Sequence, residues 1–341
     1  MTAQTPSQGR HFTVDALKGF AIACVILGHV LLRNVAQPNQ NAAYLFLSAF
    51  EMPLFMFLSG YVLPGKVRGS RPLWVWRRAV RLMVPFIAWH AIFFATRQFP
   101  LAADRDWTAV ALGGARYLGK MVAAPTAGLW YLPALLLCSA ALALYWPLAE
   151  RPLLLLAAGW VTFAGMGLAR QTLGIEPDYG LLKTITYWPF FAAGFTWGQW
   201  GRSLAPTRSV VLWAGIITYP LIAVALMRLM PSMPAAANSV SKIVLGLAGV
   251  GFSVALISVL EGAGRLARLD VLGRLTLGVY CSQWLFLRVE LGDSVAQIAA
   301  GFLLVATASI LTTIVIGKIP VARGVLLGEW PARKAAPQPA G

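Results

Sequence analysis

Residues 15–29, DALKGFAIACVILGH, open the first long apolar run of the chain and carry an acid, a base and an imidazole. On an α-helix, which turns about 100° per residue, Lys18 and His29 point within about 20° of each other. They are separated by roughly 16 Å along one face, and Asp15 lies within about 40° of that face. Because a titratable group in an apolar span is costly, it is usually there for function. Lys18 alone is equally explained as a side chain that snorkels to the membrane surface.

The composition of the whole chain is that of a membrane protein. Of its 341 residues 58% are hydrophobic and 12% are charged, and the mean hydropathy is +0.69, whereas soluble domains have roughly 25% charged residues. The net charge of +16 lies in short segments between apolar runs, which is the positive-inside pattern and not a nucleic-acid-binding surface. The cysteines fall in three different apolar runs, so we expect small core side chains and neither a disulfide framework nor a metal site.

Apolar runs long enough to cross about 30 Å of hydrocarbon predict an all-α integral membrane bundle of about ten transmembrane helices. The predicted spans are residues 13–33, 43–63, 79–99, 129–147, 152–170, 184–201, 209–230, 239–260, 274–291 and 295–317.

The prediction divides the chain into a mobile polar segment (1–11), a transmembrane domain (12–320) and a disordered tail (321–341). The first apolar run has no signal-peptidase boundary, so we expect it to be retained. Counting Lys and Arg on each side places both termini in the cytoplasm. The external loop 100–128 contains an amphipathic stretch, residues 107–122, that is expected to lie along the membrane interface.

The second span, FEMPLFMFLSGYVLPG (residues 50–65), places Glu51 near its predicted outer end, at a depth similar to that of His29. A carboxylate that accepts a hydrogen bond from one imidazole nitrogen fixes the tautomer and raises the basicity of the other nitrogen, as a general base requires. The alternatives are a protonated Glu51, or an ion pair with Arg33 or Arg97. Deeper in the same span, Ser59 is expected to bond a neighbouring helix.

A basic cluster precedes the third span, at its predicted cytoplasmic mouth. Arg78 and Arg81 are three residues apart and therefore share a helix face. Arginine forks suit phosphate oxygens, so the cluster indicates a phosphorylated donor or an anionic lipid headgroup, with an ordinary positive-inside cluster as the alternative. Its members are Lys66, Arg68, Arg71, Arg77, Arg78 and Arg81.

Four motifs on successive spans together resemble the membrane-bound acyltransferase-3 family, the O-acetylases of bacterial surface polysaccharides and related glycans. They are DALKGFAIACVILGH, FEMPLFMFLSGY, RRAVRLMVPF and GLWYLPALL (residues 128–136). YWPFFAAGFTWG (187–198) and LGRLTLGVYCSQWLF (272–286) look like weaker motifs of the same family. The resemblance covers residues 13–317. It implies about ten helices in the bacterial inner membrane, acetyl-CoA as donor, no metal, and transfer to a glycan hydroxyl.

The resemblance also implies roles for single residues. The basic-x10-His pattern of the family falls on Lys18 and His29, with Lys where Arg is usual, and its paired arginines fall on Arg78 and Arg81. We therefore expect Arg78, Arg81 and Lys18 to bind the donor. His29 would act as general base or transient acyl carrier.

Two more positions depart from the family pattern. Glu51 stands where some members have His, and it is predicted to act with His29. Gln283 stands where a later His is common. The departures at Lys18 and Gln283 keep an inactive relative as an alternative.

Four further residues are assigned to substrate binding. Trp130 and Tyr131 begin the fourth span at its predicted outer end, where an aromatic belt would also explain them, and Ser59 and Tyr61 lie in the second-span motif.

The sequence thus predicts a membrane O-acyltransferase that moves an acetyl or other short acyl group from acyl-CoA to a surface glycan or lipid-linked sugar. The alternative of another class is a transporter or flippase of a lipid-linked glycan, which would use the same intramembrane charges. A cytoplasmic arginine cluster combined with a deep histidine favours the enzyme. His90 in the third span is expected to form a helix–helix hydrogen bond.

Overall fold

The computed structural model describes residues 6–63, 70–98, 107–123, 128–174, 179–200, 210–262 and 268–330, and within these ranges all regular structure is helical. The helices are α1 (Pro6–Asn34), α2 (Ala42–Tyr61), α3 (Arg71–Gln98), α4 (Trp107–Ala123), α5 (Tyr131–Leu144), α6 (Pro152–Thr172), α7 (Tyr179–Gln199), α8 (Val210–Leu229), α9 (Ala235–Gly262), α10 (Leu269–Arg274), α11 (Thr276–Phe286), α12 (Val295–Lys318) and α13 (Pro320–Leu327). The predicted all-α class is confirmed. Each predicted span coincides with one of these helices.

Six of the described helices are long and apolar enough to cross a membrane. Their apolar portions are Phe12–Asn34, Ala42–Tyr61, Arg71–Arg97, Gly215–Ser232, Val240–Glu261 and Val295–Lys318. The predicted count of about ten is not confirmed. The ninth predicted span shows why: the chain leaves the helix between α10 and α11, and the 11 residues of α11 rise only about 16 Å.

Both ends of the bundle differ from the prediction. Helix α1 begins at Pro6, so residues 6–11 continue the first helix and do not form a separate polar segment. The residues from Pro320 to Leu327 form α13, although the predicted disordered tail begins at residue 321. Residues 1–5 and 331–341, the remainder of those two segments, lie outside the described residues.

Helix α13 is ordered because it packs on the bundle. The indole Nε1 of Trp89 on α3 donates a hydrogen bond to the carbonyl of Leu326 at 3.0 Å. Leu327 is buried, and its Cδ2 atom lies 2.9 Å from the position that a Cβ on Gly278 of α11 would take. Gly328 then ends the helix with φ +65, a left-handed conformation that favours glycine.

Helix α2 is the centre of the bundle and packs against α1, α7, α8 and α9. It lies against α7 at very close range, because a Cβ on Gly60 would collide with the carbonyl oxygen of Phe191, and one on Gly194 with that of Phe57. Small residues allow such backbone contact between helices in an apolar solvent, where packing rather than the hydrophobic effect holds helices together. These contacts therefore set the distance between α2 and α7.

Gly194→Ala should destabilise the protein by about 1–3 kcal/mol, because the added methyl group overpacks the α2–α7 contact. The matched control is Gly251→Ala on α9, where a Cβ meets nothing within 4 Å and the better helix propensity of Ala favours the folded state. Thermal unfolding of the purified protein in detergent measures both changes. Equal melting temperatures for the two variants would show that the contact is looser than described.

Candidate active site

His29 lies near the end of α1, half-buried, with α11 beside it. Its Nδ1 is 3.4 Å from the side-chain oxygen Oε1 of Gln283. The centroid of its ring is 4.7 Å from that of Trp284, at an interplanar angle of 59°. The 3.4 Å distance is long for a hydrogen bond, and catalytic hydrogen bonds are often long before substrate binds.

Gln283 determines which nitrogen of His29 carries the proton. The side chain is fully buried, and its Nε2 donates to the backbone carbonyl of Tyr280 at 3.1 Å, which turns Oε1 towards His29. An amide oxygen only accepts hydrogen bonds, so Nδ1 of His29 is the donor and Nε2 keeps its lone pair. In the neutral ring this arrangement places the proton on Nδ1, and no described residue hydrogen-bonds to Nε2.

Glu51 is not the partner of His29. It is the tenth of the 20 residues of α2. Glu51 therefore lies in the middle of the helix, whereas the prediction placed it near the outer end. Its Oε2 lies 3.0 Å from the position that a Cβ on Gly28 would take. Gly28 and His29 point about 100° apart on α1, so Gly28 faces Glu51 while His29 faces α11.

The carboxyl oxygen Oε2 of Glu51 is buried and has no hydrogen-bond partner among the described residues. Among the described residues Glu51 forms no ion pair, so neither Arg33 nor Arg97 neutralises it. The structure brings Glu51 next to the helix that carries His29 but leaves its Oε2 available to another group.

Ser59 and Tyr131, two of the predicted substrate residues, are brought together. The Ser59 hydroxyl is 2.5 Å from the Tyr131 hydroxyl, so α2 and α5 are joined in the interior. The Tyr131 ring lies 5.6 Å from that of Tyr280. Tyr131, half-buried at the start of α5, thus contacts side chains of α2 and α11.

Trp130 and Tyr61 face other neighbours. Trp130 stacks on Tyr187 of α7 at a centroid distance of 5.2 Å, with the Lys183 ammonium 5.3 Å from its ring. Tyr61 is buried at the end of α2 and stacks on Phe57 at 6.4 Å. These two side chains are therefore not part of the contact that joins Ser59 to Tyr131.

Gly128 connects the start of α5 to His29. Its φ of +50 is a conformation that favours glycine, and a Cβ there would lie 2.6 Å from the indole of Trp284. Its carbonyl accepts a 2.7 Å hydrogen bond from the Tyr280 hydroxyl. Trp284 also packs on His29. Gly128 and the imidazole of His29 therefore contact the same indole ring.

The two arginines predicted to bind a donor face different surroundings. The Nε of Arg78 donates to the buried Ser139 hydroxyl at 2.9 Å, and its guanidinium lies 5.2 Å from the Trp74 ring. Arg81 is exposed and lines an open pocket beside α13. The two side chains therefore do not form a single fork.

Lys18 also stands apart from the arginines. Its ammonium is 3.5 Å from the Asp15 carboxylate one turn away on the same helix. Lys66 and Arg68, two other members of the predicted basic cluster, lie outside the described residues.

Comparison with models of protein families matches residues 12–317 to the family described as Acyltransferase domain. The chain belongs to the acyltransferase-3 family. It is 32% identical over 202 residues to Nodulation protein NolL of Sinorhizobium fredii, an alignment that covers 57% of this chain and 50% of the relative. It is 30% identical over 108 residues to Nodulation protein NolL of Mesorhizobium japonicum, with 29% of each chain covered.

The chain spans half or less of the length of these curated relatives. No solved structure matches it. Together with the six apolar helices, the acyltransferase-3 assignment makes this chain a multi-pass membrane protein.

Sequence reasoning singled out His29 and noted Gln283 as a departure from the family pattern, but it did not predict that Gln283 and Trp284 contact His29. The available signal was an amide side chain in the otherwise apolar run of α11, since a buried polar group needs a partner. His90 behaves as expected and joins α3 to α4 through a 3.1 Å contact between its Nδ1 and the Tyr117 hydroxyl. Cys24, Cys138 and Cys281 are buried free thiols, also as expected.

Replacing Gln283 by Leu should abolish the tautomer preference of His29, because the only described acceptor for its Nδ1 is removed. ¹⁵N NMR of the histidine-labelled protein distinguishes the two neutral tautomers, and His29→Ala assigns the signal among the three histidines of the chain. Gln283→Glu, which keeps an oxygen in the same place, should retain the Nδ1–H form.

The matched control is Gln199→Leu, which removes a side-chain amide whose Nε2 donates to the Leu63 carbonyl at the end of α7. This variant should leave the His29 signals unchanged. If Gln283→Leu also leaves them unchanged, Gln283 does not set the tautomer.

Proposed function

We propose that this chain is an O-acyltransferase that moves an acetyl or other short acyl group from acyl-CoA to a hydroxyl of a surface glycan or lipid-linked sugar. It would act in the bacterial inner membrane with both termini in the cytoplasm. The observation that carries the proposal is the contact of His29 Nδ1 with Gln283, which leaves Nε2 without a hydrogen-bond partner among the described residues, in a chain of the acyltransferase-3 family.

His29 supplies the proton transfer that this reaction needs. Its Nε2 takes the proton of the acceptor hydroxyl while the hydroxyl oxygen attacks the thioester carbonyl. The carbon–sulfur bond breaks, and the CoA thiolate leaves and receives the proton. In the second route Nε2 attacks the thioester carbonyl, the carbon–sulfur bond breaks and CoA leaves as the thiolate. The sugar hydroxyl then attacks the acyl carbon, the nitrogen–carbon bond breaks, and the hydroxyl proton passes to the thiolate. In both routes the free nitrogen is the reacting atom.

Glu51 and the Ser59–Tyr131 pair supply hydrogen bonds to the substrates. The unpartnered Oε2 of Glu51 accepts a hydrogen bond from a sugar hydroxyl, which costs less than leaving a buried carboxyl oxygen unpaired. The linked hydroxyls of Ser59 and Tyr131 can donate one to an oxygen that becomes negative in the transition state. The apolar helices around these groups exclude water and so limit hydrolysis of the thioester.

The donor enters from the end of the bundle at which α3 begins, because that end carries the arginines. Arg78, half-buried between α3 and α5, binds a donor phosphate on the inner side of α3. Arg81 binds a donor phosphate on the opposite side of α3, which faces α13. Lys18, paired with Asp15, contributes positive charge at the start of the transmembrane part of α1.

His29→Ala should reduce acetyl transfer from acetyl-CoA by about 10²–10⁴-fold, the usual loss when a general base is removed, while donor binding stays close to normal. The assay is transfer or hydrolysis of radiolabelled acetyl-CoA by the protein in detergent. His90→Ala, which removes another intramembrane imidazole, is the control and should retain turnover. Full turnover in His29→Ala would rule out the mechanism and favour a lipid-linked glycan transporter.

Arg78→Ala should raise the KM for acetyl-CoA about ten-fold and leave that for the acceptor unchanged, since a charge-assisted contact is worth about 1.5–3 kcal/mol. Arg78→Lys should recover only part of the loss, because lysine has no planar fork. Arg274→Ala, an exposed arginine on α10 outside this cluster, is the control and should leave both KM values unchanged. Equal increases for donor and acceptor would show that Arg78 has a structural role only.

A further inference from the structure

An open pocket of about 700 Å³ lies between α3 and the end of α13. The residues that give it chemical character are three arginines, one carboxylate and two tryptophans. They are Arg77, Arg81, Arg323, Glu329, Trp76 and Trp330. Three of the six, Arg323, Glu329 and Trp330, follow the matched family domain, which ends at residue 317.

The pocket carries an excess of positive charge. Arg323 is paired with Glu329, with 2.8 Å between Nε and Oε2. Neither Arg77 nor Arg81 has an acidic partner among the described residues. Three guanidinium groups therefore face one carboxylate, and this arrangement attracts an anion. A guanidinium fork fits both carboxylate and phosphate, and three such groups around one pocket suit the larger number of oxygens of a phosphate.

Two exposed indoles border these charges. Trp76 is 65% exposed and Trp330 is 52% exposed, so each has a free aromatic surface. Trp330 is held in place against Gly324 of α13, where a Cβ would lie 2.9 Å from the ring. An indole surface beside a phosphate site suits a ligand in which the phosphate is attached to a planar base or to an apolar group.

The wall formed by α13 is a fixed part of the fold. The hydrogen bond from Trp89 to Leu326 and the burial of Leu327 tie α13 to the bundle. A Cβ on Gly328 would lie 2.3 Å from the backbone carbonyl oxygen of Arg81. The residues that follow α13 are therefore held beside the arginines of α3. The pocket therefore exists without a ligand.

We propose that this pocket binds a phosphate group, held by Arg77, Arg81 and Arg323, with the rest of the ligand against Trp76 and Trp330. Glu329 occupies one side of the Arg323 fork in the free protein and is displaced by the phosphate. Two ligands supply this chemistry: the nucleotide end of CoA and the headgroup of an anionic lipid. The phosphate site stands by itself, whereas its assignment to CoA rests on the proposed function.

Binding of adenosine 3′,5′-bisphosphate to the full-length protein in detergent, followed by calorimetry, tests the nucleotide source. Arg77→Gln and Arg323→Gln should each weaken binding about ten-fold, because each removes a charge-assisted contact. Glu329→Gln should strengthen binding several-fold, since it removes the competing carboxylate. Melting temperatures check that every variant is folded.

Arg274→Gln is the matched control. Arg274 is also exposed, at 61%, and forms a 2.7 Å ion pair with Asp270 on α10, but it does not line the pocket. This variant should bind the nucleotide as well as the wild type does. A loss as large as that of Arg323→Gln would mean attraction by the overall positive charge and would overturn the site.

The lipid source is tested with nanodiscs that contain either phosphatidic acid or phosphatidylcholine only, with bound lipid counted by native mass spectrometry. Retention of phosphatidic acid that depends on Arg77 and Arg323, without nucleotide binding, would assign the pocket to a lipid headgroup. If neither ligand depends on these arginines, the proposal is wrong. Nucleotide binding without acetyl transfer would keep the site and reject the proposed function.

Discussion

A polar side chain among apolar helices must find its partner inside the protein, because an unpaired buried polar group costs free energy. The hydrogen bonds between the helices of this protein satisfy that requirement. The amide nitrogen of Gln283 donates a hydrogen bond to the Tyr280 carbonyl, and its amide oxygen accepts one from Nδ1 of His29. This pair of contacts favours one tautomer of the imidazole. Similar pairs join other helices: Ser59 with Tyr131, Arg78 with Ser139, and His90 with Tyr117.

One of several exceptions to this pairing among the described residues lies on α2. Oε2 of Glu51 is buried without a partner, in the middle of the most central helix. Leaving it unpaired costs stability in the ligand-free protein, and the cost is recovered when a ligand donates a hydrogen bond to it. In the proposed reaction that ligand is the sugar, so the same atom would both bind the acceptor and select for a hydroxyl group.

One turn of α3 serves two different surfaces. Arg78 turns inward to Ser139, and Arg81 turns outward to α13. A donor with several phosphates can contact both surfaces only by lying across the start of α3. Helix α13 follows the family domain, and it places Arg323 in the same pocket as Arg81 and forms a second wall of that pocket.

The sequence by itself determined the helical class, the approximate positions of the apolar helices, the place of His29 on the first helix and the basic residues of α3. Hydropathy and helical periodicity are properties of neighbouring residues, so they can be read without the fold. The tertiary structure decided that Gln283 and not Glu51 holds His29, a contact between residues 254 positions apart. It also separated Arg78 from Arg81 and ordered α13 against Trp89. These outcomes depend on which face each helix turns towards its neighbours, which is set by close contacts such as that of Gly194 with Phe57 and not by any local pattern.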